Sequence, residues 1–344
     1  MSFSSNSVIA KSRSVYGKSL TAEQLEELSE KRSVAQAAAF LKNTERYSDA
    51  LSGVIPATVH RGQLESMLDK TIFTIFDNFR RFDYTKSRWF FREMVTRLEA
   101  EQILCAIQGV ADGSTDSYIA ALPAFLIEHS KLDLLELGRA ESFADIGSIL
   151  SGSEQGRLLQ PLLSEAQLSG KVNIRECERR LYTSYYISCM KMVEKNCRGS
   201  GKTELRRVFL KSIDMKNVVT CVRMQAFGFG PDEASKQLIP FKYRLSPEMV
   251  EQLMQQPDIP RIEARLAELG YRTDEHAAFQ TVEQLTERIN LDFFRRMMRL
   301  SRNSDTVYFC LMECLETELH NIKTIIEGIR YGVPSSEIRG MLVL

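Results

Sequence analysis

The amino-acid sequence predicts an all-α fold built from three similar helical-bundle repeats. One apolar spacing recurs three times along the 344 residues, a polar pattern recurs three times behind it, and no stretch between them alternates like a strand. With Val34, Phe143 and Ile259 as common origins, apolar residues stand nine positions earlier at Leu25, Leu134 and Val250. They stand six earlier at Leu28, Leu137 and Leu253, and seven later at Leu41, Leu150 and Leu266. The polar pattern is Asp/Glu-x-x-Asn/Gln-Ile/Val, at Glu99-Gln102-Ile103, Asp214-Asn217-Val218 and Glu318-Asn321-Ile322. Because the period is about 110 residues, the repeats are domain-sized bundles rather than solenoid units.

Taken in chain order, an N-terminal helix precedes a first repeat that runs from Lys18 to Gly113. Its helix pair starts at Thr21 and Ser33, whose hydroxyls accept from the open N–H groups of a helix start, and Ser33 with Gln36 has capping-box spacing. A longer helix carries Glu99 and Gln102 and stops at Gly113, a residue that takes the left-handed conformation without a Cβ clash. The connector Ser114 to His129 holds Pro123, which keeps it from continuing that helix. The second repeat has starts at Ser130 and Ser142, the motif at Asp214 and Asn217, and a stop at Gly228. The connector Phe229 to Leu245 carries Pro231 and Pro240. The third repeat has starts at Ser246, with Pro247 directly after it, and at Asp258. Its long helix steps through Tyr308, Leu311, Leu315, Leu319, Ile322, Ile326 and Ile329 by three or four and stops at Gly332. The implied domains are 1–113, 114–228 and 229–344, the last with a C-terminal tail.

Composition narrows the function classes. Hydrophobic residues at 44% and charged residues at 26% are those of a globular protein, and 45 basic against 45 acidic side chains leave no overall basic footprint for nucleic acid. The longest apolar run, Tyr118 to Ile127, is too short to span a bilayer, and MSFSSNSVIAKSRS has no apolar core of a signal peptide. A cytoplasmic protein without direct transmembrane insertion is expected, and its seven cysteines, with no C-x-x-C pair, are expected as reduced thiols. Cys310 and Cys314 share a helix face, where core thiols are a better reading than a zinc site.

No catalytic constellation stands out. Each repeat supplies a single acid, separated from the next by more than a hundred residues, so the acid and amide read as a repeated polar clasp inside each bundle. NCRGSGKT, Asn196 to Thr203, imitates the phosphate loop G-x-x-x-x-G-K-S/T. Asn196 stands where the first glycine belongs and the preceding segment is helical in spacing, so a Gly/Ser turn between helices is expected and Lys202 is not assigned to a nucleotide. His60, His129, His276 and His320 are dispersed. No catalytic, cofactor-binding or metal-ligating residue is therefore assigned, and no cofactor is expected. One charge stripe is uncompensated: Arg288, Asp292, Arg295, Arg299 and Arg302 follow one helix face, opposite Ile289, Phe293, Met297 and Leu300. It is either a solvated face or, through Arg295, Arg299 and Arg302, a contact with an acidic protein surface. Glu23, Glu26, Glu27 and Glu30 form an opposite stripe, read as solvated.

With these residues in hand, the whole chain resembles the central-stalk subunit of V-type and archaeal A-type rotary ATPases, called the C subunit in prokaryotes and the d subunit in eukaryotes. The resemblance is carried by KSRSVYGKSLT (Lys11 to Thr21), SVAQAAAFLKNTERYSDAL (Ser33 to Leu51), SFADIGSIL (Ser142 to Leu150), DMKNVVTCVR (Asp214 to Arg223) and ELHNIKTIIEGIRYGVP (Glu318 to Pro334). Gln102, where the family usually has Asn, and the Gly199 to Thr203 turn depart from it. The resemblance implies a funnel of three helical domains with pseudo-threefold symmetry and a non-enzymatic role. It implies a rotor subunit at the cytoplasmic face of the membrane that does not homo-oligomerise, with the central-shaft subunits and the membrane proteolipid ring as partners. There it would couple ATP hydrolysis or synthesis to ion transport, hydrogen ions among them. The residues alone also fit a helical adaptor or scaffold unrelated to rotary motors.

Overall fold

The computed structural model describes residues 3–82, 87–113, 122, 124–241, 243–255, 258–273 and 279–344; Pro123 and His276 lie outside the described residues. Those residues form helices and turns, with no strand among them. The chain divides into two compact units, residues 1–83 with 197–344, and residues 84–196.

In the larger unit, α1 (Phe3–Tyr16), α2 (Ala22–Ser29), α3 (Val34–Lys42) and α4 (Arg61–Phe82) join the part of the chain from residue 197 onward. That part comprises α11 (Gly199–Ala226), α12 (Pro231–Gln237), α13 (Pro247–Gln255), α14 (Ile259–Glu268), α15 (Val282–Leu300), α16 (Ser304–Tyr331) and α17 (Ser335–Met341). The smaller unit holds α5 (Ser87–Asp112), α6 (Ala124–His129), α7 (Leu134–Leu137), α8 (Phe143–Ile149), α9 (Glu154–Ser169) and α10 (Ile174–Asn196).

Local chemistry sets the short helices. Thr21, Ser33, Ser142 and Asp258 cap α2, α3, α8 and α14, each accepting from the N–H three residues on. Ser246 Oγ accepts from Met249 N–H at 3.3 Å, with Pro247 opening α13. Ser130 does not cap a helix. Asp133 caps α7, and Ser130 is used elsewhere.

The packing groups these elements differently from their order in the chain. The sequence joins each helix pair to the long helix that follows it, whereas the second and third pairs pack on the long helix that precedes them. The α13–α14 pair meets α11 through Val250, Leu253, Ile262 and Leu266 against Met215, Val218 and Cys221. The α7–α8 pair lies on α5, and the first pair, α2–α3, closes onto the last long helix. There Leu25, Leu28, Leu41 and Leu51 bury against Ile322, Ile325, Ile326 and Ile329. Connector length fits this for the third pair: the 17 residues from Phe229 to Leu245 are short enough to return it onto the helix it has just left.

Candidate functional site

The three motif acids are buried and each holds the start of a helix pair. Glu318 Oε2 accepts from Leu20 N–H at 3.0 Å, directly before the cap Thr21. Its Oε1 accepts from the Tyr47 hydroxyl at 2.8 Å and pairs with Arg46 Nε at 2.9 Å. Arg46 also donates through Nη2 to Val15 O at 2.8 Å and Ser19 Oγ at 2.7 Å. Asp214 Oδ2 accepts from Arg244 N–H at 2.8 Å, two residues before Ser246, and from the Tyr271 hydroxyl. Glu99 Oε1 accepts from Ser130 Oγ at 2.7 Å and Lys131 N–H at 3.2 Å. Ser130 is therefore spent on this clasp and leaves the capping to Asp133.

Burial raises the pKa of Glu318, outweighing Arg46 and the hydrogen bonds that pull it down. Asp214 is likewise raised by desolvation against its Tyr271 hydrogen bond, and the Tyr271 phenol is pushed well up by burial and the carboxylate beside it.

The motif amides make a second clasp. Asn321 Nδ2 donates to Val343 O at 2.7 Å while its Oδ1 accepts from Val343 N–H at 3.0 Å. Asn217 does the same to Ile239, at 3.2 and 2.9 Å. In both cases the side-chain amide completes the backbone pairing of a residue 22 positions on, inside the protein where an unmade bond is costly. Gln102 is half-buried, and the residue 22 positions on from it is Ala124, the first of α6. Gly113, Gly228 and Gly332 end α5, α11 and α16 at φ 66°, 80° and 68°. At none of them would an added Cβ meet an atom within 4 Å, so it is backbone conformation that favours glycine there.

The arginine stripe divides in two. Arg288 is buried on α15 and its Nε donates to both oxygens of Asp292 at 3.0 Å, so these two residues form an internal ion pair rather than part of a solvated face. Arg295 is half-buried beside Tyr16 of α1, where its charge works against the burial that raises the phenol's pKa. Arg299 and Arg302 are exposed on either side of Leu300, itself 71% exposed. The carbonyls at this end of α15 are held from α1: Arg13 donates to Met298 O, Arg299 O and Ser301 O at 2.9, 3.0 and 2.9 Å. Of the acidic stripe, Glu27 pairs with Lys31 and Glu30 with Arg339, both with much exposed surface.

The phosphate-loop imitation is resolved by its context. The turn is only Cys197 and Arg198, and Gly199 to Thr203 is the first turn of α11, not a flexible loop. A side chain at Gly201 would overlap Asn303, the cap of α16, so that glycine marks close packing rather than room for a phosphate. Cys310 and Cys314 are buried in α16, and the Cys314 thiol is pushed up to about 12 by desolvation. His129 packs edge-on to Phe91 and Phe125, while His60 and His320 are exposed. Among the described residues, no group of three or more His, Cys, Asp or Glu side chains could hold a metal ion, and no helix is long and apolar enough to cross a membrane.

Sequence reasoning missed the residues that answer the acids. Tyr47 and Tyr271 stand thirteen and twelve positions after the origins Val34 and Ile259, and Arg46 precedes Tyr47. An aromatic at that distance in two repeats was a usable signal. The second repeat breaks it with Gly156, where a Cβ would run into the Leu150 carbonyl, and Glu99 takes Ser130 instead.

A family model described as ATP synthase (C/AC39) subunit matches residues 8–341. Among curated proteins, the C subunit of the A-type ATP synthase of Thermococcus kodakarensis is 25% identical over 232 residues, 67% of this chain and 60% of that protein. That of Desulfurococcus sp. (strain SY) is 22% identical over 232 residues, again 67% of this chain and 60% of the relative. The match to the Thermococcus onnurineus protein is 23% over 237 residues, with the same coverage of 67% and 60%. The matched region spans less than two thirds of each relative's length.

Proposed function

The chain belongs to the ATP synthase (C/AC39) subunit family, and from that premise we propose that it is a non-catalytic rotor subunit of an A/V-type ATPase. In this role it sits at the cytoplasmic face of the membrane as a socket between the central shaft and the proteolipid ring. Torque passes through it, so that ATP hydrolysis or synthesis is coupled to ion transport. The observation that carries the reading is a family match over nearly the whole chain.

The interior supports it physically. Glu99, Asp214 and Glu318 are buried and engaged by backbone and side-chain donors, which leaves them as fixed struts rather than acids or bases offered to a substrate. A torque coupler has to resist deformation, and close-packed long helices tied by buried polar contacts do so. The acid of the last long helix grips the first helix pair, so the two ends of the chain are bound into one unit.

Co-purification tests the proposal. The tagged full-length chain, recovered from gently solubilised membranes of its own cell, should bring both the shaft subunits and the ring proteolipids. Recovery of other proteins and neither of these would favour a helical adaptor outside rotary motors and refute the role.

A further inference from the structure

The end of α15 carries a surface that the internal architecture does not account for. A helix C-terminus attracts cations through its unpaired carbonyls, yet here Arg13 already satisfies three of them with its guanidinium. Arg299 and Arg302 are additional to that cap. Between them stands Leu300, 71% exposed, and one turn back the exposed Arg207 lies against Met297 and Phe293. Glu204 of α11, half-buried here, already accepts from Ser301 Oγ at 2.7 Å. In a chain with as many acids as bases, this is a local positive excess ringed around one apolar side chain.

We propose that Arg299, Leu300 and Arg302 form the centre of a docking surface for an acidic protein segment, one that offers an apolar recess for Leu300 and carboxylates on both sides of it. Three features select a protein over a lipid surface. The cations are arginines, whose planar fork pairs carboxylates in fixed geometry. Arg13, hydrogen-bonded to three backbone carbonyls, holds the platform in one conformation, as recognition of a shaped partner requires. A single leucine, finally, is an anchor for a pocket, whereas interfacial membrane binding needs a broad apolar face. Arg295, turned toward Tyr16, is not part of the surface.

Photocrosslinking in the full-length chain tests this. p-Benzoylphenylalanine is placed at position 300, and in a second variant at Leu168, which is 91% exposed. Irradiation in the chain's own cell should give a protein adduct at 300 and not at 168, and the mapped partner peptide should carry Asp or Glu on both sides of the attachment, within about four residues. Adding R299E and R302E should lower the adduct yield by about tenfold, with helicity unchanged by circular dichroism, and the loss should grow as salt is reduced. An adduct to phospholipid alone, a partner peptide without flanking carboxylates, a yield indifferent to R299E and R302E, or no adduct beyond that at 168 would overturn the proposal. The outcome is independent of the coupling role: an acidic partner foreign to the shaft and ring would uphold this surface while counting against that function.

Discussion

Replacing Glu318 by alanine should be among the most damaging single changes in the larger unit. The pair with Arg46 is 2.9 Å long, with the two side chains 2% and 6% exposed. Truncation leaves a guanidinium buried without its counter-ion, which costs about 3–5 kcal/mol. The Tyr47 hydroxyl and Leu20 N–H lose their acceptor in the same step. The double change Arg46→Met with Glu318→Leu removes the orphaned charge and should recover part of the loss, retaining roughly 1–3 kcal/mol for each polar group still unpaired. Urea unfolding followed by far-ultraviolet circular dichroism measures all three chains.

The pH dependence has a definite sign. Because burial raises the Glu318 pKa, the folded state holds its proton more tightly, so the contribution is fully present below the unfolded carboxyl pKa, about 4.3, and is lost as pH rises through the folded value. Wild type should therefore lose stability relative to Glu318→Gln as pH is raised from about 4. A Glu318→Ala chain within about 1 kcal/mol of wild type, or a double variant no more stable than Glu318→Ala, would refute the idea of a buried ion pair at work.

Three further outcomes are expected. Gly228→Ala and Gly332→Ala should each cost about 1 kcal/mol, from left-handed backbone alone since nothing crowds the new Cβ, and thermal melts will register it. Asn321→Leu should leave both backbone groups of Val343 unpaired, at roughly 1–3 kcal/mol each, and hydrogen exchange at the Val343 amide should accelerate markedly while that at Ile239, held by Asn217, does not. Calorimetry with Mg-ATP should show no saturable heat, and Lys202→Ala should change nothing; micromolar binding lost in that variant would restore a nucleotide site at the start of α11.

What was legible in the sequence was local. Apolar residues three and four apart, a hydroxyl or carboxylate before each run, and a glycine after the long helices are set by neighbours in the chain, so the short helices and their caps could be read directly, except at Ser130, where Asp133 is the cap. Partner choice was not legible, because it depends on residues from 30 to 298 positions apart: that Glu318 faces Leu20 and Tyr47 follows from the closure of the first helix pair on the last long helix. The same limit explains Arg288 and Asp292. Their spacing of four is that of a solvated stripe and equally that of a buried pair, and only the helices packed around α15 distinguish the two. Gly199 to Thr203 read as a turn by composition, but glycine also serves where helices approach closely, as Gly201 does at Asn303.

Coupling is the central claim, and membranes from a strain deleted for this chain test it most directly. ATP hydrolysis and ATP-driven ion uptake are measured before and after adding back the purified protein. The expected result is hydrolysis that persists without the chain while ion uptake is absent, with uptake restored on addition. Ion uptake that continues in its absence, or hydrolysis of ATP by the purified chain alone, would contradict a coupling role.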